Sequence, residues 1–168
     1  MAEDLGVIDE GVLRLMKNVG YPGMRVLEFA FDGNADNTNK PSNSPENSVA
    51  YTGTHDNPPF AAYVRSLPES EKQRFVRDFR GECKKFGVDS AAVTPEEYCA
   101  DAVRLSFASP SYLCVAPLHD LLALGEEARI NAPSTLSTKN WSFRYPKARL
   151  LSPEVKETLL RLTFEYRR

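Results

Sequence analysis

The sequence predicts an α/β fold of parallel strand–helix units that makes up part of a larger barrel. Three observations carry this. Residues 24–31 (MRVLEFAF), 48–53 (SVAYTG) and 112–117 (YLCVAP) are short runs dense in β-formers, separated by helical stretches and a long loop. The second and third runs lead into polar strings that carry an acid, at Asp56 and Asp120, and a similar string, Glu3-Asp4, stands near the start. Acids after successive strands gather at one end of a parallel sheet. Finally, three strands are too few: a parallel sheet must be covered on both faces and its edges managed. The commonest closed solution, the (β/α)8 TIM barrel, needs about 250 residues, against 168 here.

Taken in order, Ala2-Glu3-Asp4-Leu5-Gly6 reads as the end of an element, so the sequence is expected to lack the N-terminal part of its barrel. Val12, Leu15, Met16 and Val19 then recur at helical spacing between an N-cap at Asp9 and a stop at Gly20. Residues 24–31 form a buried strand, and 32–47, rich in Asn, Ser and Pro, a long surface loop. The strand at 48–53 delivers Thr54-His55-Asp56-Asn57 to its C-terminal end. Helices come next at 60–67, 69–85 and 96–107, the last behind a capping box of Thr94 and Glu97. After the strand at 112–117, residues 129–145 are irregular and aromatic. A helix from Pro153 to about residue 167, capped by Ser152, finishes the chain with a basic end suited to the helix dipole.

Composition excludes several functions. With 21 Lys and Arg against 23 Asp and Glu, 42% hydrophobic and 26% charged residues, the chain is an ordinary globular sequence with no cationic block for nucleic acid. No apolar run approaches the roughly 20 residues that cross a bilayer, and the acidic start is unlike a signal peptide; the expected location is the cytoplasm. Cys83, Cys99 and Cys114 are odd in number and never in a C-x-x-C pair, which argues for reduced structural thiols. With only His55 and His119 beside them, neither a metal nor another cofactor is expected.

Two carboxylates on neighbouring strand ends suit glycosyl transfer, in which one group donates and retrieves a proton while another stabilises an oxocarbenium-like transition state. Acids in such places also cap helices and pair with cations, and spacing alone leaves both readings open.

The strings Ala2-Glu3-Asp4-Leu5-Gly6-Val7-Ile8, residues 21–33 (YPGMRVLEFAFDG) and 49–57 (VAYTGTHDN) resemble the 4-α-glucanotransferases, also called amylomaltases or disproportionating enzymes, of glycoside hydrolase family 77. Residues 117–125 (PLHDLLALG), 128–133 (ARINAP) and Asn140-Trp141 continue the likeness in order. The resemblance implies that residues 1–168 form the C-terminal portion of one (β/α)8 catalytic barrel, from the tip of strand five through strands six to eight. It implies retaining transfer of an α-1,4-glucan segment to the 4-hydroxyl of glucose or a maltooligosaccharide. By the motifs, Glu3 matches the general acid/base and Asp56 the carboxylate that stabilises the transition state. His55 would donate a hydrogen bond to the same sugar, and Asn57, Asp32 and Asn131 would line the glucan groove.

The family nucleophile, an aspartate ending the fourth strand, would lie before Met1, so the chain alone is expected to be inactive. Departures from the family pattern occur at Pro41-Ser42-Asn43-Ser44, where a Pro-His-Asn-Tyr string is usual, at Pro58-Pro59 instead of Asp-Thr, at His119 for Gln, and at Phe143 for Trp. Their implied effect is on acceptor preference and efficiency. A non-catalytic glucan-binding or scaffold protein and a related α-glucan hydrolase are the competing readings. Among the remaining candidates, His119 reads as a locally packed histidine, and Trp141, Phe143 and Tyr145 either stack on sugar or anchor their segment.

Overall fold

The computed structural model describes residues 1–6, 8–147, 150 and 152–168. Its elements are α1 (Glu10–Val19), β1 (Gly23–Val26), β2 (Ser48–Tyr51), α2 (Phe60–Ser66), α3 (Glu69–Lys85), α4 (Pro95–Ala108), β3 (Leu113–Val115), α5 (Leu118–Leu121) and α6 (Pro153–Tyr166), with short 3-10 turns at Leu27–Phe29, Pro41–Asn43 and Glu126–Ala128. The strands form one parallel sheet in the order β1-β2-β3, with Met24 opposite Val49 and Val49 opposite Leu113. Parallel strands need long crossovers, and α2, α3 and α4 supply the one between β2 and β3.

The caps form where their side chains dictate. Asp9 accepts the N–H of Val12 at 2.9 Å, and Gly20 closes α1 in the left-handed region with φ 69°. Thr94 and Glu97 complete the reciprocal box at α4. The main core lies between the sheet and these crossover helices. Phe31 meets Phe75 edge-on at 5.4 Å, and Tyr98 of α4 meets Phe79 at 5.4 Å, so that the loop after β1, α3 and α4 share one aromatic cluster. A smaller cluster joins Val103 and Phe107 of α4 to Leu162 of α6.

Three expectations are corrected. The strand expected at 24–31 ends at Val26, and the chain tightens into a 3-10 turn in which the Ala30 N–H donates to the Leu27 carbonyl. The turn directs Leu27, Glu28, Ala30 and Phe31 inward together, which strand alternation forbids. The loop at 32–47 is anchored as well as exposed. Lys40 and Pro41 are buried, Ser42 donates from N and Oγ to the buried carboxylate of Glu82 at 2.9 Å each, and Asn39 accepts the Val26 N–H at 3.0 Å. The helix expected after Asp9 forms as α1, and none of its residues is buried. The last turn of α6 carries no basic residue, and Phe164 faces solvent. Instead Arg168 turns back to α4, its Nε donating to the Phe107 carbonyl at 2.9 Å and its other nitrogens to the carbonyls of Ser109 and Ser111.

No helix among the described residues is long and apolar enough to cross a membrane.

Candidate active site

Because β1, β2 and β3 run parallel, the segments leaving their C-terminal ends collect at one end of the sheet. There an open cleft of ≈ 1280 Å³ is lined by Glu3, His55, Asp56 and Asn57, together with Glu28, His119 and Arg129. Four of the six expected site residues therefore share it. Asn131 reaches Asp56 directly, its Nδ2 donating to Oδ1 at 2.6 Å. Asp32 is apart: it sits exposed at the start of the loop and accepts the N–H of Asn34 at 2.9 Å, an Asx turn.

Glu3 projects from the segment that runs beside β1. That segment is held there by Asp4, whose carboxylate accepts the Met24 N–H at 2.6 Å and pairs with Arg25 at 2.8 Å. A side chain at Gly23 would collide with this carboxylate, so the close approach requires glycine. Ala2 adds a backbone bond to the Pro22 carbonyl at 3.0 Å.

Past β2 the chain makes a compact turn. Asn57 is buried, and its Oδ1 accepts the Thr54 N–H at 2.9 Å and the Thr54 hydroxyl at 2.7 Å. The turn leaves His55 and Asp56 accessible, with side chains 57% and 45% exposed, yet held. His55 Nε2 lies 3.4 Å from Asp56 Oδ1, and its ring packs against Trp141 with centroids 5.1 Å apart. The Asn131 N–H donates to the His55 carbonyl at 3.1 Å, and Arg129 Nη2 to the Asp56 carbonyl at 3.2 Å. The irregular segment at 129–145 thus acts as a buttress over this turn, and Trp141 contacts a site residue while its N–H anchors it to the Ile130 carbonyl at 2.7 Å.

The third acidic position is structural. Asp120 is buried, and its carboxylate accepts the Thr52 hydroxyl, the Phe60 N–H at 2.8 Å and a weaker contact from the Cys99 thiol at 3.8 Å. It therefore ties the end of β2 to the start of α2, where a helix leaves backbone donors unpaired. Burial raises its carboxyl above the usual range against the pull of His119, and lowers the His119 imidazole. The hydroxyl of Tyr145 lies 3.2 Å from His119 Nδ1, in keeping with local packing. The three thiols are free, and burial raises each. Among the described residues no group of three or more His, Cys, Asp or Glu could hold a metal ion.

Glu28 is the residue that sequence reasoning missed. Only 6% exposed, it lies in the wall of the cleft with Oε2 accepting from Asn57 Nδ2 at 3.0 Å. Burial, reinforced by Asp120, pushes its carboxyl up to about 9. The signal was present, since an acid inside a run as apolar as residues 26–31 needs a reason.

Comparison with known proteins shows the family. The sequence model of glycoside hydrolase family 77, 4-alpha-glucanotransferase, matches residues 1–150. A 4-alpha-glucanotransferase of Streptococcus pneumoniae is 37% identical over 168 residues, covering all of this chain and 31% of the relative. One from Thermus thermophilus is 39% identical over 163 residues, covering 92% of this chain and 30% of the relative. The chloroplastic/amyloplastic enzyme of Solanum tuberosum is 36% identical over 148 residues, covering 88% and 24%. Among solved structures, amylomaltase from Streptococcus agalactiae in complex with acarbose superposes with a TM-score of 0.84 at 30% identity, covering 99% of this chain and 31% of that one. The chain thus spans under a third of the length of these relatives, and it belongs to the 4-alpha-glucanotransferase family.

Proposed function

We propose that this chain is the C-terminal portion of a 4-α-glucanotransferase barrel, contributing strands six to eight and the tip of strand five. Its activity is retaining transfer of an α-1,4-glucan segment to the 4-hydroxyl of glucose or a maltooligosaccharide. The observation that carries the reading is that Glu3 and the His55-Asp56 pair, 52 residues apart in sequence, line one cleft at the C-terminal end of a parallel sheet. The bonds from residues 2 and 4 to Pro22 and Met24 support placing 1–6 as the tip of the neighbouring strand.

In the first step the Glu3 carboxylic acid gives its proton to the departing glycosidic oxygen as the C1–O4 bond breaks. A bond from C1 to the nucleophilic aspartate, supplied by the part of the barrel outside this chain, forms as that bond breaks. In the second step the acceptor 4-hydroxyl attacks C1, its proton passes to the Glu3 carboxylate, and the aspartate leaves. Asp56 holds hydroxyls of the reacting glucose and stabilises the positive charge that develops at its ring. His55 donates to the same sugar, a contact that gains strength as charge develops there. Asn131 and Arg129 keep Asp56 in place. Asn57 and Asp32 are the further groove residues of this proposal, although Asp32 stands outside the cleft.

The test is disproportionation of maltotriose to glucose and longer maltooligosaccharides. The chain alone should show none, and the full-length enzyme that contains it should be active. Glu3→Gln and Asp56→Asn should each lower kcat by about 10²–10⁴-fold in the full-length enzyme. A steady rise in reducing ends with no redistribution of chain length would make the enzyme a hydrolase. Unchanged turnover in Glu3→Gln would remove Glu3 from the mechanism.

A further inference from the structure

The turn that presents His55 and Asp56 is suspended from a buried side chain that no motif singled out. Glu28 Oε2 accepts from Asn57 Nδ2 at 3.0 Å. Asn57 Oδ1 in turn binds the Thr54 N–H and hydroxyl, and the Thr54 Oγ accepts the N–H of Asp56 at 3.3 Å. A side chain at Gly53 would come within 2.8 Å of Glu28 Oε1, so the carboxyl lies directly against the exit of β2. Displacing Glu28 therefore releases Asn57, and with it both ends of the Thr54–Asn57 turn. Resting on the function proposed above, we propose that Glu28 is a positioning residue, which fixes through Asn57 the orientation of the turn that offers His55 and Asp56 to the substrate.

The groups around Glu28 show what form it takes. Tyr63 faces it from α2, Cys99 from α4 and Asp120 from α5, while Glu126 and Arg129 face it from the segment after α5. Burial and the two acids oppose ionisation, and Asn57 and Arg129 favour it. The balance leaves a carboxyl titrating near 9, which at neutral pH is a carboxylic acid. As an acid it still accepts from Asn57 through Oε2 and keeps one O–H to donate. A glutamine offers the same shape and an equivalent acceptor, whereas alanine offers neither. Ionisation at alkaline pH places a new negative charge beside Asp120 and loosens the arrangement.

The experiment uses the full-length enzyme and follows kcat and KM for maltotriose from pH 6 to about 10, with unfolding midpoints as the check on folding. Glu28→Ala should lower kcat by about tenfold or more, with a smaller change in KM, as expected when a reacting group is misplaced. Glu28→Gln should recover most of that loss and lose the fall in kcat that the parent shows near pH 9. A folded Glu28→Ala with parental kcat overturns the proposal. So does a Glu28→Gln whose alkaline fall matches the parent, which decides the matter even if the alanine variant does not fold. Should the parent itself lack transferase activity, the function proposed above fails and Glu28 is judged by NMR. The amide signals of Thr54 and Asp56 should shift as the parent is titrated through pH 9 and stay still in Glu28→Gln, and equal movement in both overturns the positioning role.

Discussion

Asp120 and Glu28 are both buried, Glu28 in the wall of the cleft and Asp120 between the end of β2 and the start of α2, but they differ in how far their oxygens are satisfied. Asp120 has donors at both oxygens, from Thr52 on one and Phe60 on the other. Glu28 has one donor, from Asn57, and its Oε1 has no partner among the described residues. An under-satisfied buried acid stays protonated, and this links stability to pH. Its folded-state value, about 9, lies above the ordinary 4.5, so between these the native state holds a proton that the unfolded chain has released. Stability contributed by the protonated acid is therefore complete below about pH 4.5 and declines as pH rises, by up to about 1.4 kcal/mol per unit, until about pH 9. Glu28→Gln has no proton to release. Urea unfolding at pH 5 and pH 8 should show the variant gaining stability relative to the parent at the higher pH. A constant difference between them would mean that Glu28 is ionised in the fold.

At the scale of elements, the strongest regularities are local. The Thr94 hydroxyl accepts the Glu97 N–H, and Glu97 Oε2 accepts the N–H of Thr94 at 2.9 Å. Thr94→Ala should cost about 1 kcal/mol in urea unfolding with the cleft undisturbed, since the box lies at the far end of α4 from β3. Such caps are why Asp9 and Ser152 are legible as starts, each depending on groups within four residues, whereas α3 starts behind Pro68 with no side-chain cap. The His55-Asp56 turn was legible for a different reason, its string being distinctive. The features that resisted reading depend on distant partners. Residues 27–31 have the composition of a strand, yet the aromatic side chains of α3 and the carbonyl of Thr52 decide that they turn inward. Asp120 looked as eligible for catalysis as Asp56, and only its three donors, from residues 52, 60 and 99, distinguish them.

At the scale of the molecule, the open question is how a three-stranded parallel sheet is completed. β2 is buried, with Val49 and Ala50 at 1% and 3% exposure, as a central strand should be. β3 is not: Leu113 and Val115 are 44% and 39% exposed, and its outer edge pairs with no strand among the described residues. Val12, Leu15 and Val19 of α1 are exposed as well. An edge strand with apolar side chains on view is a template for further pairing, and monomeric proteins seldom leave such surface uncovered. On the function proposed above, the cover is the remainder of the same barrel. Expressed by itself, the chain should therefore bind a hydrophobic dye and associate as concentration rises, which light scattering and sedimentation would follow. Val115→Lys should reduce association by placing a charge on the open edge, and co-expression with the N-terminal part of the enzyme should abolish it. If the isolated chain instead stays monomeric and binds no dye, its open edge is covered by means other than a barrel.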